Sequence, residues 1–249
     1  MEINVKSLTT DNNSETAKIS FRRTFLKWSS AAALAALAFG AIGPEKFVAN
    51  DAFLGLPIEP LAQGAVDLGK GDIGILNYAY ALEQLEAAFY TQVISTKFNR
   101  MTSAESAILT DIRDHEIAHR EFFKVARGKK AIPGLQVNFT SIDFGSRESV
   151  LGTAKTFEDL GVSAYNGAGQ LLKKGEYLLL AGKIVSVEAR HAAAIRDLLQ
   201  PMSSYFSGDD VTDPNTGLDM AKMPSEVLAA AGPFIKTRIT AKNLPRPKM

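Results

Sequence analysis

Residues 114–121 of the 249-residue chain read Asp-His-Glu-Ile-Ala-His-Arg-Glu, and two chemistries share that octet. Read from His115 it is H-E-x-x-H, in which two imidazoles one helical turn apart hold zinc and Glu116 activates water for peptide hydrolysis. Read from Glu116 it is E-x-x-H, in which Glu116 and His119 supply half of a two-metal centre. The third histidine of the chain bears on the choice, because His191 also follows a glutamate, Glu188, by three residues. With 14 glutamates in 249 residues, two of three histidines carry a glutamate at that offset by chance only about once in a hundred.

Those pairs need elements to hold them. After a Pro- and Gly-containing linker at 44–71, apolar periodicity predicts four long helices over about 72–97, 103–127, 147–173 and 175–200. Thr102 to Glu105 supplies capping residues before the second helix, Gly128 follows its basic last turn, Gly175 separates the third from the fourth, and Pro201 closes the fourth. Short connections make each consecutive pair an antiparallel hairpin. The nineteen or so residues between the second and third helices are long enough to return along the bundle. Residues 201–249 read as a loop, a short helix near 225–231 and a Pro/Lys tail.

At about 100° per residue, Leu109, Ile112 and Phe123 fall within about 40° of Glu116, and His119 within about 60°. Glu116 and His119 therefore interrupt an apolar stripe, whereas His115 lies about 100° away on its border. Glu188 and His191 share a stripe with Ile184 and Ile195 at the same offsets. The first and third helices add matching single glutamates: Glu83 with Tyr90 seven residues on, and Glu158 with Tyr165 seven residues on. The chain thus uses one helical hairpin twice: Glu, then Tyr two turns later on the same face, then Glu-x-x-His on the next helix. Glu86 has no counterpart, because Gly161 stands in its place.

Emptied, four inward carboxylates would have to take up protons or find arginines such as Arg113, Arg120 or Arg190; two divalent cations would balance them. The chain has no cysteine, so any metal sits on nitrogen and oxygen donors, which suit iron or manganese. Glu116 and Glu188 are the natural bridging ligands, with Glu83 and Glu158 terminal and one histidine per ion. His115 reads as a solvated or a second-layer histidine, Glu86 as either a spare ligand or a core-edge carboxylate, and Tyr90 and Tyr165 as either packing groups or hydrogen-bond donors to the ligands. A zinc protease would need His115 facing the core and would leave Glu188 and His191 without a role.

Composition limits the rest. Hydrophobic residues make up 46% of the chain, and 28 basic against 27 acidic residues give a net charge of +1 with no long run of either sign, so no nucleic-acid partner is expected. At the N-terminus, Arg22-Arg23-Thr24-Phe25-Leu26-Lys27 precedes an uncharged Ala/Leu-rich stretch, 28–42. That pattern resembles a twin-arginine export signal; an uncleaved N-terminal anchor is the alternative, since no clean cleavage site follows. Either places the folded domain outside the cytoplasm, in the periplasm or cell envelope. A signal of this type also implies the twin-arginine machinery as a partner and a cofactor loaded before export.

Taken together, residues 77–90, 114–119, 157–165 and 188–191, with Pro224 to Leu228 and Pro233 to Ile235 near the C-terminus, resemble the ferritin-like di-iron carboxylate superfamily, and within it an exported bacterial, desiccation-related branch. The resemblance covers about residues 70–235. It implies an all-α ferritin-like four-helix bundle, residues 72–200, between a signal segment at 1–43 and an irregular C-terminal extension at 201–249. Two iron ions, or manganese in their place, would lie on Glu83, Glu116, His119, Glu158, Glu188 and His191. The resemblance does not fix the reaction; the expectation is oxidation of ferrous iron or consumption of peroxide, with a homo-oligomer as a further expected partner. A non-enzymatic envelope stress protein with a structural or vestigial metal site is the alternative.

Overall fold

The structure, a computed structural model, describes residues 64–247; the expected export signal and most of the expected linker lie outside the described residues. Four long helices form a bundle: α1 (Gly71–Thr96), α2 (Ser103–Arg127), α3 (Arg147–Gly169) and α4 (Gly175–Leu199). A short helix, α5 (Pro224–Ala231), lies in the C-terminal extension and packs on α3. Two residues at each end of the domain, β1 (Val66–Asp67) and β2 (Ile239–Thr240), form a parallel pair in the register Val66 to Ile239 and Asp67 to Thr240.

Local chemistry sets the helix ends. Thr102 caps α2 in a reciprocal box with Glu105, whose carboxylate also takes the Arg147 guanidinium at 2.6 Å and so ties the start of α2 to the start of α3. The third helix stops at Gly169, four residues short of the sequence expectation. Leu171 and Leu172 bond back to Ala168 and Gly169 in a tight turn, and the Asp72 carboxylate of α1 takes the Lys173 and Lys174 amides at 2.9 and 3.0 Å. A tertiary acceptor from another helix thus ends α3, and no residue inside 169–173 announces it.

α1 is buried around nearly its whole circumference. The crossover after α2 covers its outer side: buried Asn77 donates to the Lys130 carbonyl, and buried Gln84, two turns on, both donates to the Pro133 carbonyl and accepts from the Leu135 amide. The tail then lies on the crossover, with Val137 bridged to Ile235. α2 and α4 bury a narrower stripe, and α4 also leaves Leu178 and Leu179 exposed near its start. Arg196 of α4, fully buried, fastens α3 and the C-terminal loop by donating to Asp159, Asp210 and the Tyr205 carbonyl. Among the described residues no helix is long and apolar enough to cross a membrane.

The C-terminal strap presses on α3 at Gly167, where an added Cβ would lie 1.8 Å from the Lys222 carbonyl oxygen, next to the bond from the Lys222 amide to the Ser163 carbonyl. Gly167→Ala should gain up to about 1 kcal/mol of helix propensity and lose more to the clash. A net destabilisation of about 1–3 kcal/mol is expected in a denaturant melt, with earlier proteolysis of the 201–223 segment.

Candidate metal centre

Each of the four bundle helices sends acids or imidazoles to one point in the core: Glu83 from α1, Glu116 and His119 from α2, Glu158 from α3, and Glu188 and His191 from α4. They form two overlapping groups, Glu83/Glu116/His119/Glu188 and Glu116/Glu158/Glu188/His191, with the donor atoms in each group within 4.8 Å of one another. The geometry is close to two-fold. His119 Nδ1 lies 3.0 Å from Glu188 Oε1, 3.4 Å from Glu83 Oε2 and 3.6 Å from Glu116 Oε2. His191 Nδ1 lies 2.9 Å from Glu116 Oε1, 3.2 Å from Glu188 Oε2 and 3.5 Å from Glu158 Oε2. Glu116 and Glu188 thus turn one oxygen to each group, as a bridging carboxylate does.

These contacts are short, yet they lack hydrogen-bond geometry. Glu83 Oε2, both oxygens of Glu116, both of Glu188, Glu158 Oε2 and the Nδ1 atoms of His119 and His191 are all buried without a hydrogen-bond partner. Lone pairs that converge on shared points, in a core where the four carboxylates are at most 1% exposed, are what two cations would satisfy and what an apo core would not tolerate. Arginine does not supply the charge. Arg113 pairs with Asp114 and Arg120 with Glu121, and among the described residues no arginine ion pair reaches any of the four glutamates. Eight oxygen and nitrogen atoms on six side chains, without sulfur, fit iron or manganese.

Comparison with known families agrees with this geometry: residues 71–201 match the model described as a ferritin-like domain, more than half of the chain. The chain belongs to the ferritin-like domain family. A comparison with curated proteins finds no match.

Within the ferritin-like domain, the tyrosines cross between halves. Tyr90 Oη donates to Glu158 Oε1 at 2.5 Å, and Tyr165 Oη donates to Glu83 Oε1. Sequence spacing put each tyrosine above the glutamate of its own helix, but two turns are about 10 Å, beyond hydrogen-bond reach. The two helices instead set the tyrosine of one opposite the glutamate of the other. Burial, then the adjacent carboxylates, raise both phenol pKa values, so these groups stay donors.

His115 is exposed and belongs to neither donor group. Its Nδ1 lies 2.9 Å from His191 Nε2, and the rings stack with centroids 5.1 Å apart. That arrangement does not suit a zinc protease, which would need His115 Nδ1 or Nε2 on the metal. Glu86 is buried, and its Oε1 would meet a Cβ at Gly161 at 3.2 Å. The missing counterpart in the repeat is the space this carboxyl occupies, which no reading of either helix alone could show.

Without metal, burial and mutual repulsion raise Glu83 and Glu86 well above the usual carboxyl range, and burial pushes Glu158 up to about 7 against the pull of His191. Burial raises Glu116 too, but the close imidazoles of His119 and His191 overcome it and hold Glu116 low. The same carboxylates outweigh burial at both histidines and raise them. A group with a raised folded pKa stabilises the fold below its unfolded pKa and loses that contribution as pH rises through the folded value. Every one of these groups except Glu116 acts in that direction. The metal-free protein should therefore melt roughly 5–10 °C lower at pH 8 than at pH 5.5. Manganese or iron added at pH 8 should restore the loss and release protons, both readable by calorimetry.

Proposed function

We propose that this protein binds two iron ions, or two manganese ions, in the bundle core and uses them to oxidise ferrous iron or consume peroxide after export to the cell envelope. The observation that carries the reading is the set of buried, partnerless donor atoms of six side chains arranged as two groups sharing Glu116 and Glu188. Four carboxylates and two divalent ions bring the site close to neutrality, which a low-dielectric core favours. In this reading Glu83 and Glu158 are terminal ligands, Glu116 and Glu188 bridge, and His119 and His191 each complete one position.

Bound iron or manganese would supply electron exchange with an oxidant, shared over two ions. The chain's own residues prepare the place for it. Tyr90 and Tyr165 fix one oxygen of each terminal carboxylate and leave the other facing inward. His119, with 13% of its side chain exposed, is the ligand edge most open to solvent and marks the side from which a small oxidant or ferrous iron would arrive. Export rests on Arg22-Arg23 and the uncharged stretch after it, and a twin-arginine route suits a protein that folds around its metal first. The desiccation-related branch of the family rests on the C-terminal residues Pro224 to Leu228 and Pro233 to Ile235.

Purified protein should contain about two iron or manganese per chain by elemental analysis, as the two donor groups require. Glu83→Ala and Glu158→Ala should each lower that content, and His115→Ala at saturating metal should not. Loaded protein should accelerate ferrous iron oxidation or peroxide loss over free metal, and Glu188→Ala should abolish the gain. A loaded protein that turns over neither substrate would replace the catalytic reading with the scaffold one. Replacing Arg22 and Arg23 by lysine should retain the chain in the cytoplasm on cell fractionation.

A further inference from the structure

The internal repeat allows the two halves of the centre to be compared residue by residue: Glu83 with Glu158, Tyr90 with Tyr165, Glu116 with Glu188, and His119 with His191. The bridging carboxylates and the crossed tyrosine bonds are common to both halves. Any difference between the two metal positions must come from the places where the repeat fails. Two of these lie beside the centre, and the one at position 115 touches a single half.

The first failure is at position 115, where the equivalent residue ahead of Glu188 is Val187. His191 turns Nδ1 to the carboxylates and Nε2 to His115 Nδ1 at 2.9 Å. A neutral imidazole that offers a lone pair at Nδ1 carries its proton on Nε2, and that proton has an acceptor waiting in His115. The near-parallel stack, 9° between ring planes, also limits rotation of His191. His119 has no equivalent: among the described residues no hydrogen bond is found to its outer nitrogen, and its side chain is 13% exposed against 6% for His191. Partners of this kind typically change metal affinity 10–100-fold.

The second failure is Glu86 opposite Gly161. Glu86 lies one turn beyond Glu83 toward Tyr90, whose hydroxyl touches Glu158, and the missing side chain at Gly161 gives its carboxyl room. Its carboxyl acts on Glu83, Glu158 and both bridging glutamates alike, so the difference between the two positions falls to His115.

We propose that the two metal positions are unequal: the one at Glu158 and His191 is retained, and the one at Glu83 and His119 exchanges with solvent, with His115 as the positioning residue that makes the difference. This rests on the dinuclear reading above. The test uses the full purified protein and manganese(II) alone. Titration followed by calorimetry and electron paramagnetic resonance should show one equivalent bound first as an isolated ion, then a second that couples to it. Chelator challenge should remove one equivalent at least about 10-fold faster than the other.

Glu83→Ala should lose the fast equivalent and Glu158→Ala the slow one. His115→Val, which copies Val187, should weaken the tight equivalent about 10–100-fold and bring the two within a few-fold of each other, with two ions still bound at saturation and the metal-free melting curve unchanged. His115→Asn, whose side-chain oxygen can accept the same hydrogen bond, should restore the gap. Two equivalents that bind and leave with a single constant, or a gap that survives His115→Val, would overturn the inequality while leaving a dinuclear centre. Failure to bind either manganese(II) or iron(II) would overturn both.

Discussion

Four glutamates shut into an apolar core within a few ångströms of one another are a standing electrostatic problem, and the bundle is organised around it. Like charges at that distance repel, and each has lost the water that would screen it. The fold offers two imidazoles and two phenols in answer, and no guanidinium or ammonium within ion-pair distance of the acids among the described residues. Every other feature near the centre follows from that shortage. The donors that remain unsatisfied point at two places, and positive charge from outside the chain is what those places lack.

Holding such a cluster requires a rigid frame. α1 and α3 contribute the terminal glutamates from helices that are buried on almost every side, α1 beneath the crossover and α3 beneath the C-terminal strap. Asn77, Gln84 and Arg196 are buried polar groups with full sets of partners or nearly so, and they fasten those coverings to the helices. α2 and α4, which carry the Glu-x-x-His pairs, stay half open to solvent. Chemistry and exchange therefore belong to the α2/α4 side, and stability to the α1/α3 side.

The repeat gives the centre its near two-fold form, and its failures give it direction. A duplicated hairpin yields two alike half-sites, because helical spacing repeats whatever side chains repeat. Position 115 and the Glu86/Gly161 pair break that likeness without disturbing the bridging carboxylates. A chain can in this way alter one metal position while keeping the electrostatic balance of both.

By itself the sequence determined the fold class and the convergence of acids and imidazoles, because both are written in local periodicity. An apolar stripe interrupted by Glu116 and His119, and again by Glu188 and His191, can bury those residues only where helices meet. Tertiary structure alone decided which tyrosine serves which glutamate, where the third helix ends, what fills the space left by Gly161, and which histidine steadies His191. Each of these joins residues from different helices, and periodicity along one helix fixes a side chain's direction but carries no information about what faces it across the core.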